Sequence, residues 1–462
     1  MTVQNTKNKV IVPSLYGNRE IVSTEFMVLN KNILTFQISK ASRSLQNLMC
    51  NKAEDIFYSI QETRIDKWLD YFRGAGENLK NKIETLDSTL ADVLYKVSLS
   101  SGIPSYRLKK AYLSLAMKMI DMPEILKHQN LTNELTIFDK KGFIHRSWKY
   151  IPRASTVAIQ VPGNYPTINI TWLTALAMKR PVLLSTSLKD PLTPFYLAKL
   201  LFEEGIPNHS ISIVCNDFTV FAKRGGQRLI YDEMFSKLNN DVIALQTKQY
   251  HKGQSKLVLL RQNKINFYKI ASMIMQGSGR LCTNPSSILV TNNESDVAKS
   301  LAKEINKYKI YGLQDEYAIV PAFDNHTELN KINKLIKDAI LEGAIDMSEY
   351  VTKQPLIIEK EGNYFLRPTV LLVDIDHSIY GKELPFPFVT VSKCEKKQIP
   401  IYCKFSLIVS LIGNCFDLYN KLIYEPTIDK VFSENNFDRG YNVYDAHEEH
   451  LLDFLFKKKT IC

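Results

Sequence analysis

Between Val157 and Val214 the chain alternates short and long apolar runs. Val157-Ala-Ile-Gln-Val161, Pro181-Val-Leu-Leu184 and Ile211-Ser-Ile-Val214 are short, whereas Ile168 to Met178 and the stretch from Asp190-Pro-Leu-Thr193 through Phe202 have helical length. Short continuous apolar runs bounded by turn residues suit strands covered on both faces, and longer periodic runs suit helices. Strand, loop and helix repeated in this order close as a parallel sheet with helices on its two faces. The fold class expected is therefore α/β with a doubly wound, Rossmann-type sheet, whose strand ends suit a dinucleotide.

The flanking sequence adds layers to that sheet. Residues 1 to about 35 hold two short strand candidates, Val10-Ile-Val12 and Phe26-Met-Val-Leu29. From Ile38 to about His128 the apolar residues recur at helical spacing, as in Leu108, Ala111, Tyr112, Leu115, Ala116 and Met119, a stripe that serves packing. Gly102-Ile-Pro104 followed by Ser105 marks a break and a helix start. Residues 134 to 150 read as two strands joined by a turn at Asp139-Lys-Lys-Gly142. A lone hairpin cannot bury itself, so something else must cover it.

Charge and cysteine usage narrow the partners. A formal charge of +11 suits an anionic ligand such as a dinucleotide or coenzyme A and would also suit nucleic acid. The lysines are scattered, which describes a solvated basic surface, and no nucleic-acid partner is expected. The seven cysteines, at positions 50, 215, 282, 394, 403, 415 and 462, show neither metal spacing nor a disulfide framework. A reducing compartment follows, with no metal expected. The first thirty residues lack an apolar signal core, and the longest apolar patch, Phe405 to Phe416, is interrupted by Ser, Gly and Asn and falls short of the ~20 residues a span requires. A cytoplasmic protein without a membrane span is expected.

One cysteine stands in unusual company. In Gly277-Ser-Gly-Arg-Leu-Cys282-Thr-Asn-Pro-Ser-Ser287 two glycines permit a tight turn, and a thiol just beyond them can reach a bound carbonyl. Backbone N–H groups at a helix start, or a basic group such as Arg280, would lower its pKa. The alternative is a buried thiol that merely packs.

The same stretch, Gly-Arg-Leu-Cys-Thr-Asn-Pro-Ser-Ser-Ile-Leu-Val, resembles the nucleophile segment of the aldehyde dehydrogenase superfamily, Gly-Gln-x-Cys-Thr-x-Pro-Ser-Arg-x-x-Val. Further segments resemble that superfamily in co-linear order. Val161-Pro-Gly-Asn-Tyr-Pro166 resembles its Pro-Trp-Asn-Phe-Pro, and Val182-Leu-Leu-Ser-Thr-Ser-Leu-Lys-Asp-Pro-Leu-Thr193 its Val-Leu-Lys-Pro-Ser-x-x-x-Pro-Leu-Thr. Gly362-Asn-Tyr-Phe-Leu-Arg-Pro-Thr-Val370 and Lys382-Glu-Leu-Pro-Phe-Pro387 resemble its Gly-Tyr-Phe-x-x-Pro-Thr-Val and Glu-Glu-Ile-Phe-Gly-Pro. The likeness covers roughly residues 134 to 462. It implies Cys282 as nucleophile and Asn164 as the side-chain donor of an oxyanion hole, although an Asn after Gly is also an ordinary turn residue. It implies cofactor-binding positions at Pro162, Ser185, Glu383 and Phe386.

The resemblance further implies a helical N-terminal part and cofactor-binding domain over 1–133 and 151–256, and a catalytic domain over 257–436. An oligomerisation hairpin and C-terminal strand over 134–150 and 437–462 would make a homo-oligomer, a dimer or tetramer. Departures from the pattern matter too. The family's ribose-contacting Lys is replaced by Ser185, and its 2'-phosphate-excluding carboxylate falls near Leu188 beside Lys189, which favours NADP(H) while leaving NADH or NADPH open. The phosphate-contacting Gly-Ser-Thr-x-x-Gly turn has no counterpart between Phe221 and Asn240. Where hydrolytic members carry a glutamate, Gln249-Tyr-His-Lys-Gly-Gln-Ser-Lys-Leu-Val258 has no carboxylate. An enzyme without that base passes its acyl group to or from a thiol such as coenzyme A more readily than to water. The glycine-rich loop that normally precedes the last helix is reduced around Phe437 to Tyr444, which would reshape the substrate mouth.

Taken together these features look most like acyl-CoA reductases of the bioluminescence type. The expected reaction is NAD(P)H-dependent reduction of an acyl-CoA to an aldehyde through a cysteine thioester. Two alternatives stay open: oxidation of an aldehyde to acid, with Tyr250 or His251 activating water, and a non-catalytic paralogue acting as a binding subunit.

Overall fold

The computed structural model describes residues 9–31, 33–130, 132–142, 148–231, 246–250, 254–261, 265–323, 326–439 and 442–460. The chain forms two compact units, one of residues 1–101, 108–251 and 443–462, the other of residues 102–107 and 252–442.

The first unit is built on a seven-stranded sheet in the order Thr247–Gln249, Gln227–Ile230, Val157–Val161, Val182–Thr186, Ile211–Cys215, Ser14–Tyr16, Arg19–Ile21. From Thr247–Gln249 to Ile211–Cys215 the strands are parallel, and the hairpin of Ser14–Tyr16 and Arg19–Ile21 joins antiparallel at the far edge. Strand order reverses at Val157–Val161, because the next strands in sequence lie on one side of it and Gln227–Ile230 and Thr247–Gln249 on the other. The expected strands and helices are present, the helices as Ile170–Ala177 and Thr193–Glu203.

Helix Arg43–Glu62 starts at Ser42, whose side chain accepts the Leu45 N–H. It seals one sheet face, where Met49, Cys50 and Ala53 pack with Ala158, Leu183, Val214 and Phe221. Helix Ile65–Glu84 buries Trp68, Leu69, Phe72, Ala75, Leu79 and Ile83 at helical spacing, and Trp68 Nε1 donates to the Leu176 carbonyl at 2.9 Å. Each large apolar side chain so enclosed contributes roughly 1.5–3 kcal/mol.

The expected hairpin over 134–150 takes a different form. Leu135–Phe138 is a 3-10 turn, not a strand, because Ile137 and Phe138 turn inward and Phe138 meets Phe456 edge-on at 5.6 Å. The turn at Asp139 is present, with Gly142 N–H donating to the Asp139 carbonyl at 2.9 Å. Asp139 also takes the buried Lys179 ammonium at 2.5 Å. Strand Trp148–Pro152 pairs antiparallel with the C-terminal strand Phe456–Thr460 instead of with residues 134–138.

The second unit carries another seven-stranded sheet, in the order Ile345–Asp346, Thr369–Leu372, Phe388–Lys393, Pro285–Val290, Gln254–Leu259, Ser406–Ile412, Ile428–Phe432. All neighbours are parallel except the short edge strand Ile345–Asp346. Helix His326–Leu341 follows in this unit, and Gly343 beyond its end has φ 111°. Arg367, from the Leu-Arg-Pro-Thr segment, reaches both carboxylate oxygens of Asp346 at 2.8 and 3.3 Å and ties the edge strand down.

Candidate active site

Helix Phe267–Met275 begins at Asn266, whose Oδ1 accepts the Lys269 N–H at 3.1 Å. Past its end Gly277, Ser278 and Gly279 adopt left-handed φ values of 55°, 60° and 76°. Such a run reverses the hand of the chain within one turn. Glycine carries it freely at the first and third positions, while Ser278 bears a cost of ~1–2 kcal/mol. Cys282 follows with its side chain part-exposed, and Pro285 opens the strand Pro285–Val290.

Short hydrogen bonds fix this turn. Arg280 N–H donates to the Gly277 carbonyl at 3.1 Å and Asn284 N–H to the Leu281 carbonyl at 3.0 Å. The Asn284 side chain donates to the Gln276 and Ile274 carbonyls at 2.8 and 3.3 Å, closing the loop on the helix end. From the adjacent strand, Ser255 Oγ donates to the Cys282 carbonyl at 2.8 Å. Sequence reading missed Ser255, whose contact depends on strand pairing. Asn284 was visible inside the Cys-Thr-Asn-Pro motif.

A second loop is clamped to the first. A Cβ at Gly279 would lie 2.3 Å from Pro387 N and 2.5 Å from the Phe386 carbonyl carbon, so only glycine admits this approach. Arg280 Nε donates to the Pro385 carbonyl at 3.1 Å, and its guanidinium lies 6.0 Å from the Phe323 ring centre. Arg280 fastens the two loops together, and no helix begins at Cys282, since a strand follows. Glu383 is exposed on the clamped loop and keeps a surface for a ligand. Phe386 does not: it is fully enclosed among Phe323, Phe388 and Ile379, so its ring packs and offers no face to a cofactor. Beside Thr283 lies a cleft walled by Met273, Pro285, Phe432 and Phe437, so Phe437 fills space there.

The other thiols differ in their surroundings. Burial pushes Cys50 and Cys394 up to about 11 and Cys215 and Cys403 up to about 12, which leaves them protonated at neutral pH. Cys415 is part-exposed and held below its usual value by the Leu418 N–H and by Lys396.

The remaining expected residues belong to the first unit. Pro162 and Asn164 are half-buried in the loop directly after the strand at which the order reverses. Gly163 lets this loop meet the next one, since a Cβ there would lie 2.7 Å from Ser187 Oγ and 2.8 Å from Lys189 Cβ. Ser185 is buried in mid-sheet, only 4% exposed, and so corrects the expectation of a ribose contact at that position. Tyr231 and Tyr250 directly follow neighbouring strands with their rings stacked, a pairing no local motif announces. His251 and most of the expected phosphate-turn region lie outside the described residues. Among the described residues no helix is long and apolar enough to cross a membrane.

The model of the aldehyde dehydrogenase family matches residues 253–401, which include Cys282 and Glu383. An NAD+ complex of an aldehyde dehydrogenase from Bacillus cereus is similar with a TM-score of 0.76 at 15% identity, covering 98% of this chain and 96% of that one. An NAD-dependent benzaldehyde dehydrogenase from Corynebacterium glutamicum gives 0.77 at 15% identity over 97% and 98%. A salicylaldehyde dehydrogenase from Pseudomonas putida G7, in complex with salicylaldehyde, gives 0.75 at 13% identity over 97% of both chains. No curated protein matches the sequence. The fold is that of the aldehyde dehydrogenases. With the family match over the cysteine-bearing segment, it defines an oxidoreductase acting on an aldehyde or oxo group.

Proposed function

We propose that the protein reduces an acyl thioester, an acyl-CoA, to an aldehyde through a thioester on Cys282. The observation that carries the reading is Cys282 itself, part-exposed on a hydrogen-bonded turn, while the stretch from Gln249 to Val258 offers no carboxylate to activate water. The Cys282 thiolate attacks the thioester carbonyl, forming a carbon–sulfur bond, and coenzyme A leaves as its thiolate and takes up a proton. The Asn164 amide and the Cys282 N–H are the proposed donors to the oxyanion. The Cys282 sulfur is released again when the aldehyde departs.

A nicotinamide cofactor, when bound, supplies the hydride. The first unit's sheet fits such a group in its reversed strand order and the Pro162–Asn164 loop at the strand end, the position at which doubly wound sheets take dinucleotides. Lys189, half-buried beside Gly163, offers a cation for a 2'-phosphate and supports NADP(H). Glu383 offers a carboxylate to ribose hydroxyls. We propose further that the chain acts as a homo-oligomer.

A second reading, oxidation of an aldehyde to acid, is favoured by the structural neighbours, which are named as aldehyde dehydrogenases. Intact mass measured after mixing with acyl-CoA and no cofactor tests the first reading. A Cys415→Ser background removes the other part-exposed thiol among the described residues. An acyl adduct lost in Cys282→Ala is expected, with turnover nearly abolished. Unchanged turnover by Cys282→Ala would remove the proposal, and free acid formed from aldehyde without coenzyme A would replace it with the second reading.

A further inference from the structure

Tyr231 and Tyr250 directly follow the neighbouring strands Gln227–Ile230 and Thr247–Gln249 of the first unit's sheet. Their ring centroids are 4.5 Å apart with planes 13° from parallel, and both side chains are half-buried. That separation is close to the ~4.8 Å between adjacent strands, so the two rings continue the row of strand ends as a flat wall. A pair that served packing alone would be enclosed, as Tyr112 is at 0% exposure.

The wall is held at both ends. Tyr231 N–H donates to Gln160 Oε1 at 3.3 Å and its hydroxyl to Thr171 Oγ1 at 3.1 Å, which ties it to the strand where the order reverses and to the helix that follows. His447 meets Tyr250 edge-on at 5.5 Å. Lys248, whose ammonium lies 5.2 Å from the Tyr250 ring centre, is gripped by Glu449 at 2.7 Å and Glu448 at 3.6 Å. The segment around His447 thus holds Tyr250 and the neighbouring Lys248. Both tyrosines lie at the C-terminal ends of their strands, the side of a doubly wound sheet on which its ligand binds.

We infer that the Tyr231–Tyr250 pair is a stacking platform for a planar heterocycle of the nicotinamide dinucleotide, with His447 as the positioning residue that fixes Tyr250. The inference rests on the nucleotide reading above and names its contact. A tyrosine face suits adenine and nicotinamide alike, and the positive charge of the oxidised nicotinamide adds attraction to the ring's electron-rich face.

Calorimetric titration of the full chain with NAD+, NADP+, ADP-ribose and nicotinamide mononucleotide tests it, with unfolding midpoints recorded for every variant. Tyr231→Leu and Tyr250→Leu are expected to weaken dinucleotide binding by roughly ten- to a hundredfold, the range of a lost base–aromatic stack, while Tyr250→Phe stays within about threefold of the parent. His447→Ala should weaken it less, and His447→Phe, which keeps an edge-on ring, should restore it. Loss confined to ADP-ribose places adenine on the platform, and loss confined to the mononucleotide places nicotinamide there; either supports the proposal. Leucine variants that fold and bind as the parent does overturn the platform and leave the proposed function standing. A parent chain that binds none of these nucleotides overturns both. Should a leucine variant fail to fold, Tyr231→Trp decides: its added emission should be quenched as nucleotide binds, and emission unchanged at saturation overturns the platform.

Discussion

Arg367 and Arg180 are both enclosed, at 1% and 0% exposure, yet they meet opposite surroundings. Arg367, in the second unit, forms a two-pronged pair with the buried carboxylate of Asp346. Arg180, in the first unit, has no hydrogen-bond acceptor for any guanidinium nitrogen among the described residues and lies instead 4.9 Å from the Phe57 ring centre and 6.0 Å from that of Phe456. Burial alone pushes Arg180 down to about 9. Aromatic faces return part of the lost hydration, but a buried cation without an anion is a net cost. The contrast is local to these two arginines: in the first unit Lys179 is paired with Asp139 at 2.5 Å, and in the second Lys256, 3% exposed, donates to the Lys404 carbonyl at 3.3 Å. The first unit is the altered one only in its departures from the resembled pattern, such as Ser185.

Breaking the satisfied pair should have the largest effect. Asp346→Ala strands the Arg367 charge and is expected to cost ~3–5 kcal/mol, read by hydrogen exchange over residues 345–372. A loss under ~1 kcal/mol would erase the contrast. Asn164→Ala asks whether the altered unit still contributes to chemistry: kcat should fall about a hundredfold or more, as for a lost oxyanion donor, in steady-state assays. Equal rates would remove Asn164 from the mechanism.

Arg180→Met tests the opposite side of the comparison and should stabilise the first unit by ~1–4 kcal/mol at neutral pH, measured by exchange of its sheet amides. The sign follows from linkage. A base whose folded pKa is lowered to about 9 imposes its full cost below that pH, and the cost shrinks as pH rises above it. The gain on substitution should therefore fade in alkali. Destabilisation by this variant would mean the aromatic contacts outweigh the missing anion. The smallest effect is expected from Ser255→Ala, which removes the bond to the Cys282 carbonyl. We expect a drop of about tenfold in kcat with KM unchanged and recovery in Ser255→Thr. A rise in KM alone would make Ser255 a substrate contact.

Much of this was legible in the chain because it depends on neighbours in sequence. The buried strands from Val157 to Val214 and the turn before Cys282 follow from apolar runs and glycines. What depended on distant partners was not legible. Leu135–Phe138 has strand composition, but the inward pull of Phe138 toward Phe456, more than three hundred residues away, makes it a 3-10 turn. Phe386 sits in a motif and looked like a ligand contact until the core closed around it. Ser255 and the Tyr231–Tyr250 stack exist only once strands lie side by side.

Gly279 carries a lesson for tracing descent. A chain that kept its sulfur but acquired even one methyl group three positions earlier would still present the cysteine and the Thr-Asn-Pro after it, while the two loops that close on each other there were forced apart. Working and silent descendants of such a sequence are better sorted by that missing methyl than by the thiol itself.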